Sequence, residues 1–115
     1  MHEISIINNV INTIEDEFEE ADIKRLKCIY LKVGKLSNIE PNLLNSAYHA
    51  YTFGEKKYSG VELIVDSTDI LIQCEVCNTI TKVLNYKFIC SNCKRPSKNL
   101  IQGEELLIHK VEFND

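Results

Sequence analysis

Apolar residues fall at Ile4, Ile7, Ile11, Ile14 and Phe18, the three-and-four spacing of one helix face. Asn8, Asn12, Glu15, Asp16 and Glu19 occupy the other face, so the pattern predicts an amphipathic helix from near the start to about Glu20. The period then changes to two. Ile29, Leu31 and Val33 alternate with polar or amphipathic neighbours and predict a strand over 27–34 with one buried face. A second helical stripe follows in Leu43, Leu44, Ala47, Tyr48 and Tyr51. Pro41 suits its first turn, Glu40 stands beside its start and Gly54 is its stop. Val61, Leu63 and Val65 predict a second strand after Gly60, and residues 105–113 predict a third. In the third strand, Leu106 and Ile108 are out of phase with Val111 and Phe113, which a bulge near His109 reconciles.

Between the second and third strands stand four cysteines, Cys74-x-x-Cys77 and Cys90-x-x-Cys93, with twelve residues between the pairs. Each pair can present two thiolates from one tight turn. Two such turns face to face put four sulfurs around a tetrahedral centre, which suits zinc. Four sulfurs close the coordination sphere and leave no place for a substrate water, so the zinc reads as structural. Cys28, alone in a predicted strand, reads as an inert side chain. The element order predicts an α+β fold: a two-layer domain of a three-stranded sheet with two helices, plus an inserted zinc-ribbon-like module. Residues 1–69 and 103–115 form the first domain and 70–102 the zinc-binding domain. Asp69 and Gly103 lie near the junctions, where a flexible pair of linkers is expected.

Composition narrows the function classes. Thirteen basic and seventeen acidic residues in 115 give a net charge of −4, which argues against bulk attraction to nucleic acid. Residues 74–100 are the exception, with Lys82, Lys87, Lys94, Arg95 and Lys98 against Glu75. A basic rim of this kind fits an acidic partner or an ordinary solvated surface. No apolar run approaches the ~18 residues a membrane span needs, and the start lacks the regions of a signal peptide. A cytoplasmic protein, with its thiols kept reduced for metal, is expected. No Ser-His-Asp signature, phosphate-binding glycine loop or paired catalytic acids point to an enzyme. The run Glu15–Glu20 reads as a solvated helix face, and His49 and His109 as structural residues.

The start Met1-His2-Glu3 carries different chemistry. Methionine removal usually needs a small second residue, so Met1 is expected to keep its amine. That amine, the His2 backbone nitrogen and the His2 imidazole can reach one metal through five- and six-membered chelate rings. Glu3 can add a backbone nitrogen or a carboxylate. Nitrogen-rich planar donation favours Ni(II) or Cu(II) over zinc. Met1-His2-Glu3 before an amphipathic helix, Leu31-x-Val33-Gly34-x-Leu36-Ser37, Ile39-Glu40-Pro41, the two cysteine pairs and Gly103-x-Glu105-Leu106 occur in this order across the whole chain. In this the sequence resembles the hydrogenase maturation factor HypA/HybF family of nickel metallochaperones.

The resemblance implies nickel at Met1, His2 and Glu3, and structural zinc at Cys74, Cys77, Cys90 and Cys93. It implies delivery toward a [NiFe]-hydrogenase large subunit precursor with a HypB-like maturation GTPase and, in part of the family, toward urease maturation proteins. It implies no enzyme activity of the chain itself; any GTP hydrolysis belongs to the partner. No nucleic-acid or membrane partner is expected, and the chain is a monomer or homodimer. Family members often have glycine after each cysteine pair; here those positions are Asn78 and Lys94, and lysine takes a left-handed backbone less readily. The rival reading is a zinc ribbon that binds nucleic acid or protein, with Tyr86 and Phe88 available to stack on bases. A thiol–disulfide oxidoreductase fits less well, since it needs an exposed cysteine of low pKa.

Overall fold

A computed structural model describes residues 3–115. Met1 and His2 lie outside the described residues. The chain forms helix α1 (Glu3–Glu17), a short helix α2 (Glu20–Ile23), strand β1 (Leu26–Gly34), helix α3 (Pro41–Thr52) and strand β2 (Glu62–Thr68). Strands β3 (Leu71–Gln73), β4 (Ile80–Lys82) and β5 (Leu100–Gln102) follow, and β6 (Leu106–Phe113) ends the series. Two three-stranded sheets result, ordered β2-β1-β6 and β4-β3-β5. In the first, β1 pairs in parallel with β2 and antiparallel with β6. The parallel pair requires a crossover, and α3 supplies it. No helix among the described residues is long and apolar enough to cross a membrane.

Alternation decides which face of the first sheet is covered. Ile29, Leu31 and Val33 of β1, with Val61 and Leu63, are buried against Ile7, Val10, Ile11 and Ile14 of α1 and Leu44 and Tyr48 of α3. Ile108, Val111 and Phe113 of β6 pack onto the same core. They do so despite their spacing because β6 carries the expected bulge. Tyr30 pairs with Lys110 and Leu31 with Ile108, so His109 is the extra residue.

The helices differ from the simple periodic reading. The buried arc of α1 is Ile6, Ile7, Val10, Ile11 and Ile14, and Ile4 is exposed. At about 100° per residue, Ile4 falls roughly a quarter turn from the centre of that arc. The helix stops at Glu17, and Phe18 sets its ring edge-on to Phe113 with centroids 5.3 Å apart. On α3, Pro41 and Glu40 act as expected: proline opens the helix and the Glu40 carboxylate accepts from Asn42 N at 3.2 Å. Leu43 faces solvent, and the Tyr51 hydroxyl donates to Asn8 Oδ1 at 2.5 Å instead of joining the core. Two other α3 side chains bond to the backbone at the start of β2. Asn45 Nδ2 donates to Leu63 O at 3.0 Å and the Tyr48 hydroxyl to Val61 O at 2.9 Å.

The cysteine segment builds the second sheet around Ile70, Ile72 and Val83, with Leu36, Phe88 and Leu100 packed alongside. Leu36 comes from the turn after β1, so the segment that follows the first sheet's central strand lends this small core a residue. The expected linkers are heavily cross-tied. Gly34 N donates to Glu105 O at 2.7 Å and Leu36 N to Gly103 O at 2.8 Å. A Cβ on Gly34 would lie 2.0 Å from Gly103 O, so only glycine permits this approach. The Glu105 carboxylate accepts from Gly103 N at 2.5 Å and from the Thr68 hydroxyl at 3.0 Å. Asp69 meets Lys35 at 2.6 Å and Lys82 at 3.5 Å, bridging the two parts of the molecule.

A four-cysteine candidate metal centre

Cys74 and Cys77 stand in the turn of the β3–β4 hairpin, and Cys90 and Cys93 in a second turn closed by a bridge between Ile89 and Pro96. The turns repeat each other. Asn78 N donates to Cys74 O at 2.9 Å and Lys94 N to Cys90 O at 3.1 Å. Cys74 N donates to Thr79 O, and Cys90 N to Arg95 O, both at 2.9 Å. Each turn needs a left-handed residue after its second cysteine, and Asn78 (φ 62°) and Lys94 (φ 63°) both comply. The lysine that departs from glycine therefore leaves the knuckle unchanged. Its ammonium folds back onto Ser91 O at 2.9 Å.

The four sulfurs lie within 4.8 Å of one another. Two separations between the turns are 3.5 Å for Cys74–Cys93 and 3.6 Å for Cys77–Cys90. A tetrahedron with Zn–S bonds of ~2.3 Å has sulfur–sulfur edges of ~3.8 Å, so the cluster is already at the size zinc requires. Cys74 and Cys90 are buried, Cys77 and Cys93 half-buried.

The surroundings split the acidities of these thiols. Thr79, through its hydroxyl and then its backbone, together with Asn92, draws Cys77 down to about 5. The backbone around Cys93 and Asn92 lowers Cys90. Cys93 receives a lowering hydrogen bond from the Arg95 backbone, but Cys74, burial and the other sulfurs outweigh it and push it up to about 11. Four sulfurs at this spacing cannot all ionise without a cation; a bound zinc would supply that charge and hold Cys74, Cys77, Cys90 and Cys93 as thiolates.

Sequence reasoning missed the polar residues that tie the turns together. Thr79 Oγ1 lies 3.2 Å from Cys77 Sγ. The Ser91 N–H donates to Thr81 Oγ1 at 3.1 Å, and buried Ser97 donates to Gln73 O at 3.0 Å. Hydroxyl residues one to four positions from a cysteine pair are the signal that could have found them.

The other anticipated ligands are not brought together. The nickel reading falls on Met1 and His2, outside the described residues, and on Glu3, the half-buried first residue of α1. Among the described residues, no other group of three or more His, Cys, Asp or Glu has its ligand atoms clustered, the acidic run Glu15–Glu20 included. His49 stacks edge-on against Tyr48, and His109 sits exposed in the β6 bulge. Cys28 is buried and separate from the cluster. Of the two aromatic residues available to stack on bases, Phe88 packs onto the second core and only Tyr86 is exposed.

Comparison with known proteins gives the same reading along the whole chain. The sequence model of a family described as "Hydrogenase/urease nickel incorporation, metallochaperone, hypA" matches residues 1–113. A hydrogenase maturation factor HypA from Desulfitobacterium hafniense is 30% identical over 115 residues, all of both chains. Guanidine hydrolase-activating protein A of Synechocystis is 28% identical, covering 99% of this chain and 96% of its own. The fold is shared with the solution structure of the Ni metallochaperone HypA from Helicobacter pylori, at a TM-score of 0.64 and 19% identity, over 99% of this chain and 98% of that one. With its four-cysteine zinc-type cluster inserted before the last strand, the chain belongs to the HypA family of nickel-incorporation metallochaperones, which serve hydrogenase maturation.

Proposed function

We propose that this chain carries Ni(II) on Met1, His2 and Glu3, while Cys74, Cys77, Cys90 and Cys93 hold a structural zinc. The observation that carries the reading is Met-His-Glu at the head of α1 in a chain that the nickel-incorporation family matches from residue 1. The donors are the Met1 amine, the His2 backbone nitrogen and imidazole, and Glu3. Donors at a chain end can detach one at a time, so nickel exchanges quickly enough to be passed on. The recipient is a [NiFe]-hydrogenase large subunit precursor, reached with a HypB-like GTPase in the cytoplasm. Urease, or an enzyme such as the guanidine hydrolase in the Synechocystis relative's name, is the second recipient to assay.

Calorimetric nickel titration tests the site. His2→Ala, and a chain with one residue added before Met1, should each lose specific nickel binding while keeping one zinc per chain. Binding should weaken as pH falls through the amine and imidazole pKa values, nominally ~8 and ~6.5. Unchanged nickel affinity in both variants would remove the site from the chain end.

A further inference from the structure

Three local costs meet in one ribbon of the cysteine module. The first is strain. Asn85 and Tyr86 are both left-handed, with φ of 54° and 58°, in the turn between β4 and the second knuckle, and an aromatic residue adopts that backbone at a cost. The second is apolar exposure. Leu84 and Tyr86, on either side of Asn85, are 62% and 64% exposed, and Ile89 just beyond is exposed as well.

The third cost is charge. The bridge between Ile89 and Pro96, with Ser97 N donating to Phe88 O at 3.0 Å, sets an antiparallel register that places Lys87 opposite Lys98. Phe88 packs on the small core and Ser97 is buried, so Lys87, Ile89, Pro96 and Lys98 share the outward face. Two lysines directly opposed on one face repel each other. Among the described residues, no ion pair engages Lys87, Arg95 or Lys98.

The fold itself gains nothing from these costs, since Tyr86→Gly would relieve the strain and Lys87→Glu the repulsion. An acidic surface with an apolar pocket relieves all three together. It covers Leu84 and Tyr86 and gives both lysines a counter-charge. The rest of the chain is acidic, which steers such a partner onto the module and away from the first sheet. Nucleic acid would bring the negative charge without a pocket for Leu84. We infer that the Leu84–Lys87 turn and Lys98 form the docking surface for an acidic protein partner, with the Tyr86 ring as its anchor and Lys87 and Lys98 paired to carboxylates at the rim. The probe chosen for that partner, the [NiFe]-hydrogenase large subunit precursor, rests on the nickel-delivery reading above.

Association of the fluorescently labelled, zinc-loaded full chain with the precursor, read by anisotropy, should weaken as salt rises. Tyr86→Gly and Lys87→Glu should each weaken it roughly tenfold. Both variants should withstand denaturant at least as well as wild type, because one relieves strain and the other turns opposed lysines into an ion pair. Binding lost through a damaged fold would show the reverse. A wild-type chain that does not bind the precursor, an affinity unchanged in both variants, or a loss that tracks lowered stability would each overturn the docking surface. So would a mixed-sequence single-stranded RNA that binds wild type at about 150 mM salt and loses affinity in the same variants. Nickel binding is judged by His2→Ala in a separate titration, so either idea can fail alone.

Discussion

At the scale of single residues, the structure spends backbone strain to hold side chains at set places. Lys94 takes a left-handed backbone because the second knuckle must repeat the first, and Asn78 does the same with less cost. Asn85 and Tyr86 are both left-handed (φ 54° and 58°) in the turn closed by Lys87 N donating to Leu84 O at 3.1 Å. That turn type favours Asn-Gly, so tyrosine at its second central position is strained. Tyr86→Gly should therefore raise the stability of the zinc-loaded chain by about 0.5–1 kcal/mol, the relief of strain exceeding the added flexibility of glycine. Lys94→Gly should gain less, because it also loses the Ser91 contact. Denaturant unfolding of both variants beside wild type checks the sign; a loss of stability in Tyr86→Gly would contradict the argument.

At the scale of elements, the junction is the feature most open to test. Glu105 is drawn below the usual carboxylate range, first by the Gly103 N–H, with its own backbone, Thr68 and Glu104 adding to the effect. A depressed folded pKa means that its stabilisation is complete above the ordinary value of ~4.3 and is lost as pH falls through the lower folded value. Amide exchange at Gly103 and Leu36, measured by mass spectrometry across pH and corrected for intrinsic rates, should therefore speed up as pH falls below the usual carboxylate range. In Glu105→Gln it should already be fast at neutral pH and lack that acid step. This clasp was not legible in the sequence, because it joins Gly34 to Gly103 and Glu105 through backbone contacts that no local pattern records. The three long strands were legible because their alternation is local, and Val111 against Ile108 betrayed even the bulge, whereas the three-residue strands β3, β4 and β5 are too short to carry a pattern. Helix ends were less so: nothing in the pattern stops α1 at Glu17, and the pull of Phe18 onto Phe113 is a tertiary effect. The cysteines announced the metal centre, while Thr79, Thr81 and Ser97 became visible only once the turns faced each other.

At the scale of the whole molecule, two cores of very different size share one chain. The first is built from α1, α3 and the long strands, and the second is an apolar cluster of just Ile70, Ile72 and Val83 beside the buried cysteines Cys74 and Cys90. So small a core does not sustain a fold without its metal. Chelation of zinc should melt β3–β5, seen as loss of amide protection there, while far-UV circular dichroism retains the signal of α1 and α3. Exchange should also quicken at Leu36, which the small core holds. Equal loss of protection in both sheets would mean that the cores unfold as one. The chain order gives the insertion a further consequence, in time. On the ribosome α1, β1, α3 and β2 emerge first, all four cysteines follow, and β6 comes only after them. The first sheet therefore waits, one flank of β1 bare, until the cysteine module has been synthesised, and that module can acquire its metal before β6 seals the fold.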